Sequence, residues 1–309
     1  MKNLNLIFLA LASSTFFTFW SCQTPDENDV MQTEKNNKQE NKAENVPLAC
    51  GNVYALVLSG SSGSPVASGL TSHIYNVDLC PETIDYTFQS SINIGGVPVM
   101  GVTGLCDFPG ISGKAIAVTG INSNFPQRLL NVDIATGLAV VMLSTSVPLQ
   151  DIENDGNTGD FYAIRENSSQ IMKVDILTGI CTAFAPVGPT PQYNGLIIKG
   201  GFLFTISGNT SYICGSRRGD VFRYALPGTG SGYVAKNSYK SAVPAFTTEE
   251  LGLFYDDCCG RNWVVGSSSN MISNNTDIIA CTSNSATLLL DTTSTSQPHY
   301  SIYDFMLKP

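Results

Sequence analysis

Residues 151–184 read DIENDGNTGDFYAIRENSSQIMKVDILTGICTAF. Four short apolar runs stand in this stretch, separated by turn formers. They are Asp151-Ile152-Glu153, then Tyr162-Ala163-Ile164 entered through Gly159, then Ile171-Met172-Lys173-Val174-Asp175, then Ile180 to Phe184 after Thr178-Gly179. Runs this short, bounded by Gly, Asn, Asp and Ser, read as strands rather than helices. Four strands in a row with tight turns between them make one antiparallel unit.

The unit repeats. Its glycine-led strand recurs as Gly51-Asn52-Val53-Tyr54-Ala55-Leu56, as Gly113 with Ile116-Ala117-Val118, as Gly201 with Phe204-Thr205-Ile206 and as Gly260 with Trp263-Val264-Val265. Successive glycines of the set are 42 to 62 residues apart. The following strand recurs closely in Ile74-Tyr75-Asn76-Val77-Asp78 and Leu129-Leu130-Asn131-Val132-Asp133, and more loosely in Val221 to Tyr224 and Asp277 to Ala280. Asp133 and Asp175 precede the Thr136-Gly137 and Thr178-Gly179 turns, where a short carboxylate bonds nearby amides. They are expected to be structural. A leading strand stands before each glycine from Gly113 onward: Gly104 to Phe108, Asp151 to Glu153, Gly195 to Ile198 and Gly252 to Tyr255. Four strands per repeat of this length predict a β-propeller blade. The first repeat lacks its leading strand, and Ser301-Ile302-Tyr303-Asp304-Phe305-Met306 at the other end has the missing pattern. The expectation is an all-β propeller over residues 50–309, with five four-stranded blades closed by the C-terminal strand, which removes long exposed edges.

Composition agrees with tight turns and apolar strands. The 309 residues include 28 Gly and 15 Pro, with 43% hydrophobic and only 13% charged side chains. That balance excludes a coiled coil or a wholly disordered chain. The net charge is −9 with 16 basic residues in no stripe, so nucleic acid is not a partner. Two histidines leave little material for a zinc centre or a histidine triad.

The first fifty residues give an address. Met1-Lys2 followed by apolar Leu4 to Trp20 reads as a signal peptide over residues 1–21. Phe19-Trp20-Ser21-Cys22 resembles a bacterial lipoprotein box, which implies lipidation of Cys22 and a membrane partner through that anchor. Residues 22–49 carry six acidic side chains and three lysines among few apolar ones, the composition of a disordered tether. Asp26-Glu27-Asn28-Asp29 resembles the surface-export signals of Bacteroidetes lipoproteins. The localisation expected is the outer membrane, facing the periplasm or the cell surface.

The blade pattern resembles the broad superfamily of bacterial propellers that includes YVTN-repeat and gluconolactonase-type proteins. With the inner strands aligned on Leu105, Ile152, Leu196, Leu253 and Ile302, the residues just before are Gly104, Asp151, Gly195, Gly252 and Ser301. Asn194-Gly195-Leu196 resembles the Asn-Gly that gluconolactonase-type propellers use to hold a divalent metal. The resemblance implies a metal site, with Ca²⁺ as the cation, from Asp151 and Asn194. Against it, the two lie one residue out of register, and the acidic ligands of that family have no counterpart at Leu251, Tyr300 or Ser301. The run Asp151, Glu153, Asp155, Asn157 mimics half of an EF-hand loop. Tyr162 stands where its bidentate carboxylate would be, so that run reads as strand plus turn.

His73 and His299 precede strands of the same blade, and Arg217-Arg218 lies in a long loop on that face. With Tyr193 from the channel rim, these are the candidate ligand-binding residues. The loops there, Ser59 to His73, Gly120 to Gln127, Ser207 to Gly219 and Gly266 to Asp277, are rich in Ser, Asn, Thr and Gly and suit glycan or protein recognition. Nine cysteines less a lipidated Cys22 leave eight, an even number suited to an oxidising compartment. Cys50 and Cys259 precede equivalent glycines, which predicts a bond from Cys50 to Cys258 or Cys259, with a Cys258–Cys259 vicinal bond as competitor. No catalytic constellation stands out and no cofactor is required. The expected function is a non-catalytic binding or scaffold module for a glycan or an envelope protein. The alternative is a metal-dependent propeller hydrolase or lactonase with a channel-mouth site.

Overall fold

The computed structural model describes residues 52–59, 70–80, 85–185, 192–207, 221–226, 233–235, 252–256, 262–267, 270–274, 286–291 and 300–308. The chain divides into the units Met1–Val46 and Pro47–Pro309, and every described residue belongs to the second. The signal peptide, Cys22, the tether, Cys50, Arg217, Arg218, Cys258, Cys259 and His299 lie outside the described residues.

Strands are numbered in chain order. The first sheet has the order β22 (Tyr300–Leu307), β1 (Asn52–Ser59), β2 (Thr71–Asp78), β3 (Asp85–Ser91). A two-stranded ribbon, β4 (Asn93–Ile94) with β5 (Val97–Pro98), precedes the sheet of β6 (Val102–Asp107), β7 (Lys114–Thr119), β8 (Arg128–Asp133) and β9 (Ala139–Ser144). The third sheet is β10 (Leu149–Asp155), β11 (Asp160–Arg165), β12 (Ile171–Val174) and β13 (Cys181–Ala183). Next come β14 (Tyr193–Lys199), β15 (Phe202–Ser207), β16 (Val221–Ala225) and β17 (Tyr233–Ala235). The remaining sheet is β18 (Gly252–Asp256), β19 (Asn262–Ser267), β20 (Asn270–Asn274) and β21 (Ala286–Asp291). All are antiparallel, and there is no helix among the described residues. The chain is an all-β propeller: a ring of four-stranded sheets whose leading strands face one another. Leading strand β6 packs on β22 and on β10, β14 on β10 and on β18, and β18 on β22.

The second strands β7 and β11 are buried on both faces, which explains why they are apolar runs rather than strict alternations. Along β7, Ala115 and Ala117 enter one core with Leu56, Leu58, Ile74 and Leu105, while Ile116 and Val118 enter the next with Ile152, Phe161 and Ala163. Along β11, Phe161 and Ala163 face that second core, and Tyr162 and Ile164 face a third with Tyr193, Leu196 and Phe222. The period of two still operates, but it sorts side chains between two neighbouring cores instead of between core and water.

Turn chemistry sets how neighbouring sheets dock. Thr136 N and Oγ1 donate to Asp133 Oδ1 at 3.0 and 2.8 Å, and Gly137 N donates to Asp133 O at 2.7 Å. Asp175 repeats this with Leu177 N at 2.9 Å, Thr178 Oγ1 at 2.7 Å and Gly179 N at 2.7 Å. The turn glycines then receive the preceding sheet: Asn93 N donates to Gly137 O and Ser146 N to Gly179 O, both at 2.9 Å. Both glycines have positive φ, and a Cβ on either would stand 2.0 Å from a backbone oxygen, that of Ser91 or Ser144. The structural role expected of Asp133 and Asp175 is the one observed. Asp155 supports a third such turn, accepting from Thr158 Oγ1 at 2.9 Å and Asn157 N at 3.1 Å, so the EF-hand-like run is strand plus turn.

Candidate functional site: an acid pair between the leading strands

Leading strands bring their backbone amides to the propeller centre with one edge unpaired, and those amides need acceptors. Two aspartates supply them across sheets. Asp151 on β10 accepts from Leu196 N on β14 at 2.6 Å, and from Ile152 N at 2.7 Å. Asp304 on β22 accepts from Leu105 N on β6 at 2.5 Å, and from Phe305 N at 2.7 Å. The two sites are the same device used twice, each carboxyl joining its own sheet to the next.

This equivalence corrects the alignment of the last strand. Leu105, Ile152 and Leu196 stand opposite Ala117, Ala163 and Thr205, the small central residue of each glycine-led strand. The residue opposite Ala55 is Phe305, not Ile302. Asp304, rather than Ser301, therefore corresponds to Asp151. The sequence misleads here because β22 has no glycine to mark the position, and its pairing with β1 shifts register between Leu56 and Val57.

The two carboxyls also act directly on each other. Asp151 is 0% exposed and Asp304 1%. Burial raises the pKa of both above the ordinary carboxylate range, and for Asp151 the nearby acids Asp304 and Glu153 raise it further. Two adjacent charges in a dry site are unfavourable, which favours one proton held between the pair. Burial likewise pushes up Glu153 on β10 and Asp107 on β6, and Asp107 accepts from the Asn154 side chain. Space for Asp151 comes from Gly104, where a Cβ would lie 2.6 Å from Asp151 Cα and 2.8 Å from Asp151 Oδ1.

Beside the pair runs a short amide chain: Gln192 Nε2 donates to Gln150 Oε1 at 3.3 Å, and Gln150 Nε2 to Asn194 Oδ1 at 2.9 Å. Asn194 and Asp151 are thus both buried and both engaged, in separate hydrogen-bond sets. Both oxygens of Asp151 already accept backbone amides, and the Asn194 amide oxygen accepts from Gln150. Among the described residues, no group of three or more His, Cys, Asp or Glu is placed to hold a metal ion.

Of the remaining candidates, His73 and Tyr193 lie among the described residues. His73 lies on β2, with Nδ1 2.8 Å from Ser91 Oγ and its ring edge-on to Phe88, and burial lowers its pKa. Tyr193, expected at the rim to meet a ligand, is drawn into the core instead. It is 0% exposed, its hydroxyl lies 2.6 Å from that of Tyr224, and its ring packs on Phe222. Asp304 escaped sequence reasoning altogether. Its signal is one charge, between Tyr303 and Phe305, in an otherwise apolar strand.

No family model matches the chain, and no curated protein does. Among solved structures, a chain of a nidogen/laminin complex is 9% identical, with a TM-score of 0.47, covering 83% of this chain and 98% of that one. A structural genomics protein of unknown function from Bacteroides thetaiotaomicron is 9% identical, with a TM-score of 0.43, covering 81% of this chain and 70% of that one. The propeller itself rests on the strand order and pairing of this chain.

Proposed function

We propose that this chain is a cell-envelope lipoprotein, held at the outer membrane through Cys22, whose five-bladed propeller is a non-catalytic binding or scaffold module for a glycan or an envelope protein. One observation carries the non-catalytic reading. Asp151 and Asp304 are consumed in joining leading strands, 0% and 1% exposed, so this pair offers a substrate neither an acid nor a base. A general acid or base has to come within hydrogen-bond reach of its substrate. Recognition then falls to the loops rich in Ser, Asn, Thr and Gly, with Arg217, Arg218, His73 and His299 as polar contacts. Such side chains give adaptable hydrogen bonding.

A glycan array and an envelope pull-down with the mature chain test this reading. Capture of a defined glycan or protein, reduced by Arg217→Ala with Arg218→Ala, supports it. The hydrolase alternative predicts that calcium raises the melting temperature of wild type and not of Asp151→Ala. A melt indifferent to calcium and chelator leaves that alternative without support. For the anchor, labelled fatty acid is expected to be incorporated into wild type and not into Cys22→Ala, and equal labelling of both would sink the lipoprotein assignment.

A further inference from the structure

We propose that β9 is a self-association edge, through which two copies of this chain pair antiparallel across a two-fold axis. The inference stands apart from the ligand reading above. β9 is the outer strand of its sheet, hydrogen-bonded to β8 and, among the described residues, to no strand on its other side. Such an edge offers unpaired amides and carbonyls to any chain that can extend the sheet.

The side chains of β9 invite that pairing. Edge strands are ordinarily blunted by charge, above all lysine, or by proline. From Ile134 to Val147 there is neither. Val140 is 63% exposed, and Leu138 and Val141 are exposed beside it. The apolar surface continues into the next sheet, because Ser146 N donates to Gly179 O and the Gly179 turn lies against Ser144 and Leu143. That turn presents Leu177, 84% exposed, together with exposed Ile180. Its charged residue, Asp175, is bound by Leu177 N and Thr178 Oγ1.

Charge selects a second copy as the occupant. The chain carries a net −9, so two copies repel wherever charged faces meet. A two-fold contact uses the same patch on both copies, so every charge in it is present twice with the same sign. Like charges opposed across strands are destabilising. β9 brings none to the contact. Of the other outer strands, β3 holds Asp85 and β21 holds Asp291, while β13 and β17 have three residues each against six in β9. The ladder of β9 with β8 steps at Met142, between Leu130↔Val141 and Leu129↔Leu143, and a bulge bends an edge. Regular pairing between copies is therefore short, centred on Ala139 to Val141, with Leu138, Leu177 and Ile180 adding apolar contact. A contact of this extent makes a weak, reversible dimer.

Sedimentation velocity tests it, on the chain from residue 22 onward with Cys22→Ala so that no acyl chain drives association. The expected result is a monomer–dimer equilibrium that shifts with concentration. Val140→Lys should weaken the dimer by about tenfold or more and leave the thermal melt of the monomer unchanged, since Val140 is exposed. The added lysine lowers the net negative charge, so the loss reports the local contact and not overall repulsion. Two-fold pairing brings position 140 of one copy close to position 140 of the other. An equimolar mixture of Val140→Lys and Val140→Glu should therefore recover a dimer that neither variant forms alone. A chain that stays monomeric at every concentration overturns the proposal, even if its edge captures a foreign strand. So does a dimer untouched by Val140→Lys, or a mixture that stays monomeric. Should the position 140 variants fail to fold, Leu177→Ser at the exposed turn carries the test, and a dimer that it leaves unchanged overturns the proposal.

Discussion

Asp151 and Asp304 each give both oxygens to backbone amides, and their burial side by side favours one proton between them over two charges. Burial raises Asp304 to about 7 against the opposing pull of its hydrogen bonds with Asp151, Leu105 and Phe305, whereas the same group in an unfolded chain ionises near 4. The folded protein therefore holds a proton that the unfolded chain releases. The pair's contribution is fully present below pH 4 and is lost as pH rises through the folded value. Asp133 works in the opposite sense, because Lys114 and Thr136 hold it down to about 2, so its contribution is lost only as pH falls below about 4. The two windows do not overlap. Asp304→Asn removes one titrating partner while keeping an acceptor for Leu105. Urea unfolding should show the variant less stable at pH 5, with the deficit shrinking by at least about 1 kcal/mol at pH 8. A deficit independent of pH would show that no proton is shared. Gly104→Ala tests the space beside Asp151 and is expected to cost about 1–3 kcal/mol by overpacking. Gly156→Ala, where a Cβ meets nothing within 4 Å, should change stability by less than about 1 kcal/mol. Of these residues, Asp151 was legible from its place in a repeated strand. Asp304 was not, because its register depends on an irregularity in β22 that no local residue announces.

At the scale of elements, the turns do more than reverse the chain. An Asp, two variable residues, Thr and Gly recur at Asp133, Asp155 and Asp175, and in each the carboxylate binds the turn it precedes. Where the glycine is Gly137 or Gly179, its carbonyl also accepts an amide from the sheet before it. Local chemistry made the turns readable, but docking needs a neighbouring sheet and so was invisible. The element-scale prediction is that Gly179→Ala costs more than about 2 kcal/mol, from strain at positive φ together with a Cβ driven into Ser144 O. Gly159→Ala shares the positive φ but meets nothing within 4 Å, and about 1–2 kcal/mol is expected there. Chemical denaturation of both variants separates docking from strain. Equal losses would mean that the docked turn adds nothing.

For the whole molecule, β22 links the end of the chain to β1 while its Asp304 reaches β6. A chain ending before Tyr300 should leave β1 with a bare edge and Leu105 N without its acceptor. Size-exclusion chromatography and a thermal melt of that truncation are expected to show aggregation and no cooperative transition. A monomer melting as wild type would show that β22 is dispensable. The sequence by itself determined most of the strands, their grouping by four and the Asp-containing turns, because each depends on residues within a few places of one another; it placed the third strand of the last sheet at Asp277 to Ala280, where the structure has Asn270–Asn274. It also marked β22 as the missing strand, since an orphan pattern at one end answers a gap at the other. Only the tertiary structure decided what the central carboxyls do, because their partners lie 45 and 199 residues away in sequence. It also drew Tyr193 off the expected ligand face. Apolar runs look alike whether they face a channel or a neighbouring sheet, and only packing tells which side of the strand is which.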